Sequence, residues 1–200
     1  MTAFRNTTIA LSSEAAPFAI RAERSSDVVA REALLDACFG DNRHGRTCQR
    51  LRDGRAPAEG LAFSATVRGR LVGTVRLWHV SAGGIPALVL GPLAVEDSSR
   101  KLGTGAALMA HALAAATARG HHAVILLGDA PYYARFGFSA LKTSELSLPG
   151  PFEPDRLLGL ELREGALDGA WGMIAASGAE APKATLRPAG KVRKLAAHAA

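Results

Sequence analysis

The residues with the clearest chemical content lie together, at Glu96-Asp97-Ser98-Ser99-Arg100-Lys101-Leu102-Gly103-Thr104-Gly105. Glycines at 103 and 105 allow a tight turn whose N–H groups face one point, because neither carries a Cβ that would restrict φ. A helix beginning near Thr104 adds the partial positive charge of its N-terminus at the same point. Arg100 and Lys101 stand where they add full positive charge at the rim. These are the parts of a cradle for a pyrophosphate on a ligand bearing several phosphates. Two other phosphate loops are excluded by residue type: no GxxxxGK[ST] occurs, and Leu108 stands where a dinucleotide fingerprint needs its third glycine. A glycine-rich connection ahead of an ordinary helix has the same composition, so the flanking elements must decide.

Those elements read as a strand, a helix and a strand. Ala87 to Val95 is apolar and strand-like, Thr104 to Arg119 has a helical stripe at Leu108/Met109, Ala112/Leu113 and Ala116, and Ala123 to Leu127 is a second apolar run. Gly120 stops the helix. The unit is βαβ. Upstream, Phe18 to Ala22 reads as a strand, Ser25, Ser26 and Asp27 offer caps to a helix through Phe39, and a short helix is expected over Thr47 to Asp53. Leu61 to Val67 and Leu71 to His79 flank the turn Arg68-Gly69-Arg70 and predict a hairpin. Tyr132 to Phe136 suits a short helix, Glu145 to Leu148 and Leu157 to Leu162 are strand-like, and Ala166 to Ile174 is ambiguous. The expected class is α/β with a mixed, mostly antiparallel sheet flanked by helices.

Two hundred residues, 48% hydrophobic and 21% charged, suit one domain with a core that stands without disulfides or metal. Cys38 and Cys48 form no CxxC, and no paired histidines stand at ligand spacing, so no metal site is expected. Cys38 is expected to be a buried structural thiol. The only helically spaced apolar run, near Leu108 to Ala118, is too short to cross a bilayer, and the N-terminus lacks the apolar stretch of an export signal. No membrane insertion and a cytoplasmic location are the expectations. The net charge of +6 comes mainly from residues 183–200, which hold five Lys and Arg and no acid, leaving 19 bases against 18 acids elsewhere. That balance argues against a nucleic-acid-binding domain, although the basic tail leaves docking on RNA, ribosome or anionic lipid open. Residues 1–17 read as a loose leader, 18–178 as the domain, and 179–200 as a basic, disordered tail.

Arg100-x-x-Gly103-x-Gly105 resembles the (Arg/Gln)-x-x-Gly-x-(Gly/Ala) signature of the GNAT acetyltransferase superfamily. Its flanks resemble the same family: Leu88-Val89-Leu90-Gly91-Pro92-Leu93-Ala94-Val95 is similar to the preceding strand. Gly128-Asp129-Ala130-Pro131-Tyr132-Tyr133-Ala134-Arg135-Phe136-Gly137-Phe138 is similar to its second block. The likeness runs from Phe18 to Gly178 and is nearest to small bacterial acetyltransferases of the YhbS type. It implies the GNAT fold, acetyl-CoA as acyl donor, an amine as acceptor, and direct attack without metal or covalent intermediate. A homodimer is left open.

The resemblance further implies that backbone at Leu93, Ala94 and Val95, in a gap between strands, pairs with the pantetheine arm. Arg100, Lys101, Leu102, Gly103, Thr104 and Gly105 would hold the pyrophosphate. Pro92 agrees with such a gap, since proline cannot donate to a ladder. Whether Leu93 or Val95 polarises the thioester stays open. Tyr133 matches the family tyrosine that acts as general acid, and Tyr132 is expected to point elsewhere on the short helix. The alternative is that both tyrosines only pack. Glu96 is the nearest candidate base, with Asp129, Asp41, His44, His79 or an ordered water as others. A catalytically silent acyl-CoA-binding or sensing module is the competing function.

Overall fold

The computed structural model describes residues 17–182. Nearly all of the expected leader and the expected tail from residue 183 onward lie outside the described residues, and the docking role considered for that tail lies outside them too. The chain begins with β1 (Ala19–Ala22), a 3-10 turn at Ser25–Asp27, and α1 (Val28–Phe39), which Gly40 ends at φ 78°. Short 3-10 segments at Asp41–Gly45 and Thr47–Leu51 follow. Next come β2 (Ala62–Val67), β3 (Arg70–Ala82) and β4 (Ile85–Leu90), an antiparallel meander whose first hairpin turns through Arg68 and Gly69, both at positive φ.

The strand expected over Ala87 to Val95 is two strands. β4 ends at Leu90, and β5 (Ala94–Val95) begins after Gly91-Pro92-Leu93. Gly91 adopts φ 139°, a region side chains avoid, and Pro92 has no N–H to give a ladder, so pairing is interrupted there. β3 is long enough to serve both, pairing with β4 from Leu77 onward and with β5 at Gly73 and Thr74. After α2 (Asp97–Arg100) and α3 (Thr104–Ala118) comes β6 (Ala123–Leu127), which pairs parallel with β4 only at Leu88 and Val89. Along its other edge β6 pairs antiparallel with β8 (Leu157–Glu161) over its full length, so beyond Ile125 the edge that faced β4 has no strand partner. β5 therefore has a partner on one side only, and a wedge opens between it and β6.

α4 (Ala130–Ala134) starts two residues earlier than expected because Asp129 takes the N-cap position and Pro131 sits in the first turn, where a missing N–H costs nothing. β7 (Leu146–Ser147) and β9 (Gly172–Ala176) pair parallel, and β9 also pairs with β3, so the ambiguous stretch ends in a strand. Residues 179–182, the first of the expected tail, are described. Ala179 O accepts from Ala56 N at 2.9 Å and Ala181 N donates to Gly54 O at 2.8 Å, which ties these residues to the fold.

The sheet divides the core by the period of two of its strands. Val75, Leu77, Leu88, Leu90, Val124 and Leu126 face α3, while Trp78, Val80, Val89 and Ile125 face a second cluster with Leu51 and Ile174. α3 lays Leu108, Met109, Ala112 and Ala116, all fully buried, on the first face. The alanines let the helix sit close, and truncating Leu108 would cost about 2–5 kcal/mol. That packing fixes the N-terminus of α3 beside β5.

Candidate functional site

The segment expected to cradle a pyrophosphate lies where β5, α2 and the start of α3 meet. Gly103 caps α3 at φ 77°, and the first intrahelical bond runs from Ala107 N to Gly103 O, so the N–H groups of Thr104, Gly105 and Ala106 have no intrahelical acceptor. Gly103, Gly105, Ala106 and Arg100 line a cavity of about 380 Å³ together with Leu93, Ala94 and Val95. A side chain at Gly105 would come 3.3 Å from the Tyr132 hydroxyl, so glycine keeps this corner open. Glu96 N donates to Val72 O at 2.8 Å, and by the alternation of an antiparallel ladder the N–H groups of Leu93 and Val95 face away from β3. Arg100 is anchored by Nε to Val95 O at 3.1 Å and pairs with Asp97 at 3.1 Å, leaving its guanidinium half exposed at the rim.

The other members of the signature do different work. Thr104 is fully buried and donates to Ser99 O at 3.0 Å, joining α2 to α3. Lys101 and Leu102 are exposed and do not line the cavity. Cys38 is half buried rather than buried: it lines the cavity with its thiol 3.6 Å from Val95 O.

Tyr132 and Tyr133 meet edge to face, with ring centroids 4.9 Å apart, and both line this cavity. Tyr132 thus does not point elsewhere: its ring lies against that of Tyr133 and lines the same cavity. Arg135 stacks over the Tyr132 ring at 4.0 Å. Burial, aided by Tyr132 and Asp129, pushes the Tyr133 hydroxyl up to about 12.

A second cavity of about 440 Å³ lies across the wedge, under the Gly91-Pro92-Leu93 break. Phe39, Leu93 and Tyr133 line both cavities and form the wall between them. Four arginines, Arg43, Arg46, Arg52 and Arg156, line the second cavity against one carboxylate, Glu153. Burial lowers the Arg52 guanidinium from its ordinary value, and Arg43 and Arg46 push the same way. Burial also raises the Cys48 thiol.

None of the candidate bases drawn from the sequence lines either cavity: neither Glu96, Asp129, Asp41, His44 nor His79. The Glu96 carboxylate accepts from both Nη atoms of Arg70 at 2.6 and 2.8 Å and from Ser98 Oγ at 2.9 Å, and this pairing holds it below the usual carboxylate range. His79 stacks near His121, with centroids 5.3 Å apart. Sequence reasoning missed the arginines. Their signal was the density of Arg43, Arg46, Arg50 and Arg52 around the buried Leu51, hidden by a near-neutral total. Among the described residues no group of His, Cys, Asp and Glu could hold a metal ion, and no helix is long and apolar enough to cross a membrane.

Comparisons with known proteins bear on the fold and the family likeness. Residues 58–140 match the family model described as an acetyltransferase (GNAT) domain. The chain is 27% identical to the uncharacterized N-acetyltransferase YhbS of Escherichia coli K12 over 157 residues, 78% of this chain and 93% of that protein. The crystal structure of E. coli YhbS in complex with CoA superposes with a TM-score of 0.70 at 28% identity, covering 82% of this chain and 91% of that one. A GNAT acetyltransferase from Brucella melitensis, crystallised with acetyl-CoA, shares the fold with a TM-score of 0.61 at 24% identity over 80% of this chain and 96% of its own. The β4/β5 break and the glycine-capped α3 thus sit in a chain whose residues 58–140 match the model of a GNAT acetyltransferase domain and which resembles YhbS over most of its length.

Proposed function

We propose that the protein transfers the acetyl group of acetyl-CoA to an amine by direct attack across the wall shared by its two cavities. The observation that carries this reading is that Phe39, Leu93 and Tyr133 border both the glycine-rich cavity and the arginine-lined one, so donor and acceptor would meet at one place. The donor side fits acetyl-CoA. The free N–H groups of Thr104, Gly105 and Ala106 and the Arg100 guanidinium would hold the pyrophosphate, and the outward N–H groups of Leu93 and Val95 would pair with the pantetheine arm and polarise the thioester. The CoA complex of the similar E. coli protein supports the same ligand here.

The amine nitrogen bonds to the carbonyl carbon, the C–S bond breaks, and the sulfur takes a proton in place of the one the amine loses. Tyr133, held protonated by burial, donates to the sulfur as it leaves and then takes a proton back from water. Arg46 and Arg52, which have no carboxylate partner among the described residues, disfavour an ammonium beside them and favour the free amine, which does part of a base's work; the released proton goes to water. Holding the reactants in this arrangement supplies most of the acceleration. Free CoA release, measured with acetyl-CoA and a panel of amines, tests the reading. CoA release that rises with amine and yields the N-acetyl product is expected, whereas acetyl-CoA binding without transfer to any amine would make the protein a silent binding module.

A further inference from the structure

We propose that the acceptor is an amine that also carries an anionic oxygen group, a carboxylate or a phosphate, held by Arg52 with Arg46. This rests on the acetyltransferase reading and names the substrate class of the same site. The four arginines of the acceptor cavity differ in what neutralises them. Arg43 is paired with Glu32 at 2.5 Å and Asp36 at 2.7 Å, and Arg156 with Glu153 at 3.5 Å. Among the described residues Arg46 and Arg52 have no carboxylate partner. Arg46 rests on the Phe39 ring at 5.1 Å and donates to Phe39 O at 3.2 Å. Arg52 Nη2 reaches Gln49 Oε1 at 3.1 Å, while its Nε is buried with no hydrogen-bond partner.

Nε is closed off from the cavity, whereas Nη1 has no hydrogen-bond partner among the described residues and lies against the cavity wall at Gly91, so Nη1 is the donor a bound anion would take. The planar fork of arginine matches a carboxylate or phosphate edge. Position agrees with this role. A Cβ at Gly91 would lie 3.5 Å from Arg52 Nη1, which sets the guanidinium directly under the β4/β5 break, beside Leu93 and Tyr133. The cofactor's own phosphates have Arg100 and the α3 N-terminus in the other cavity. A cavity of about 440 Å³ suits a small molecule. Cationic acceptors such as polyamines are disfavoured by the two arginines without a carboxylate partner, Arg46 and Arg52.

The test is binding to the CoA-loaded protein by calorimetry, with paired probes that differ in the anion: β-alanine against its amide, and phosphoethanolamine against ethanolamine. The acid of at least one pair should bind roughly 10- to 100-fold tighter than its neutral partner, the scale of a charge-assisted hydrogen bond, and the better pair separates carboxylate from phosphate. Arg52→Lys and, independently, Arg46→Gln should each shrink that ratio while the CoA-induced thermal shift is retained. If the acids bind no better than the neutral amines, or if both variants keep the ratio, the inference is wrong and the acetyltransferase reading is untouched. Tight acid binding without acetyl transfer would overturn the acetyltransferase reading and leave anion recognition standing.

Discussion

The Tyr133 ring occupies the space where a side chain at position 128 would be. A Cβ built on Gly128 would fall 2.2 Å from Tyr133 Cε2 and 2.8 Å from Cδ2, so the glycine that ends β6 is what lets this ring lie between the two cavities. Gly128→Ala should push the ring out of place and lower kcat by about 10- to 100-fold, the cost of misplacing a reacting group by an ångström or so. Acetyl-CoA affinity should change far less, because the cradle lies on α3. Steady-state kinetics with a binding titration would check this, and full kcat in the alanine variant would count against a role for Tyr133.

Tyr133→Phe keeps the ring and removes only the hydroxyl. A fall in kcat of about 10²-fold is expected, with stability and acetyl-CoA affinity nearly unchanged. Tyr132→Phe is not a neutral control, since that ring lines the same cavity. The pH profile adds a second check. The active form is the protonated phenol, and with its hydroxyl pushed up to about 12 no loss of activity from Tyr133 should appear until the pH rises well above the ordinary value of 10.0.

Acetyl-CoA at about a hundred times its dissociation constant should stabilise the protein by roughly 2.7 kcal/mol. For a chain of this size that is a rise in Tm of roughly 5 to 10 °C in a thermal melt. Arg100→Ala should blunt the rise by removing charge at the rim. Gly103→Val should do so by forcing a branched side chain into φ 77°. Absence of any shift with acyl-CoA would remove the donor assignment.

Asp27 ties β1 to β2 and the start of α1. Its carboxylate, 7% exposed, accepts from Arg21 Nη1 and Nη2 at 2.6 and 2.8 Å, from Arg24 N at 2.9 Å and from Ser64 Oγ at 3.0 Å. The Arg21 pairing holds it well below its ordinary value of 3.8, so its contribution is present above that pH and is lost as pH falls toward the folded value. Asp27→Asn should cost about 2–4 kcal/mol at pH 7 in urea unfolding. The gap to the wild type should narrow below pH 4, and a gap independent of pH would show that the charge is not what stabilises.

The sequence by itself determined what depends on neighbours along the chain. Glycine at 103 and 105, arginine at 100 and the stripe of α3 are local facts, and from them the turn into α3, the βαβ unit and the resemblance to GNAT acetyltransferases could be read. Pro92 announced a break because a missing N–H has the same consequence in any ladder. The tertiary structure decided what depends on distant segments meeting. Glu96, beside the cradle in sequence, is claimed by Arg70, 26 residues away and across the sheet. Tyr132 and Tyr133 share a cavity because α4 is one short turn seated over the wedge. Arg46 and Arg52 mattered little in a nearly balanced charge count. Folding gathers them with Arg43 and Arg156 around one cavity and leaves the Arg52 Nε without an acceptor, because whether a charge is paired depends on which segments pack together.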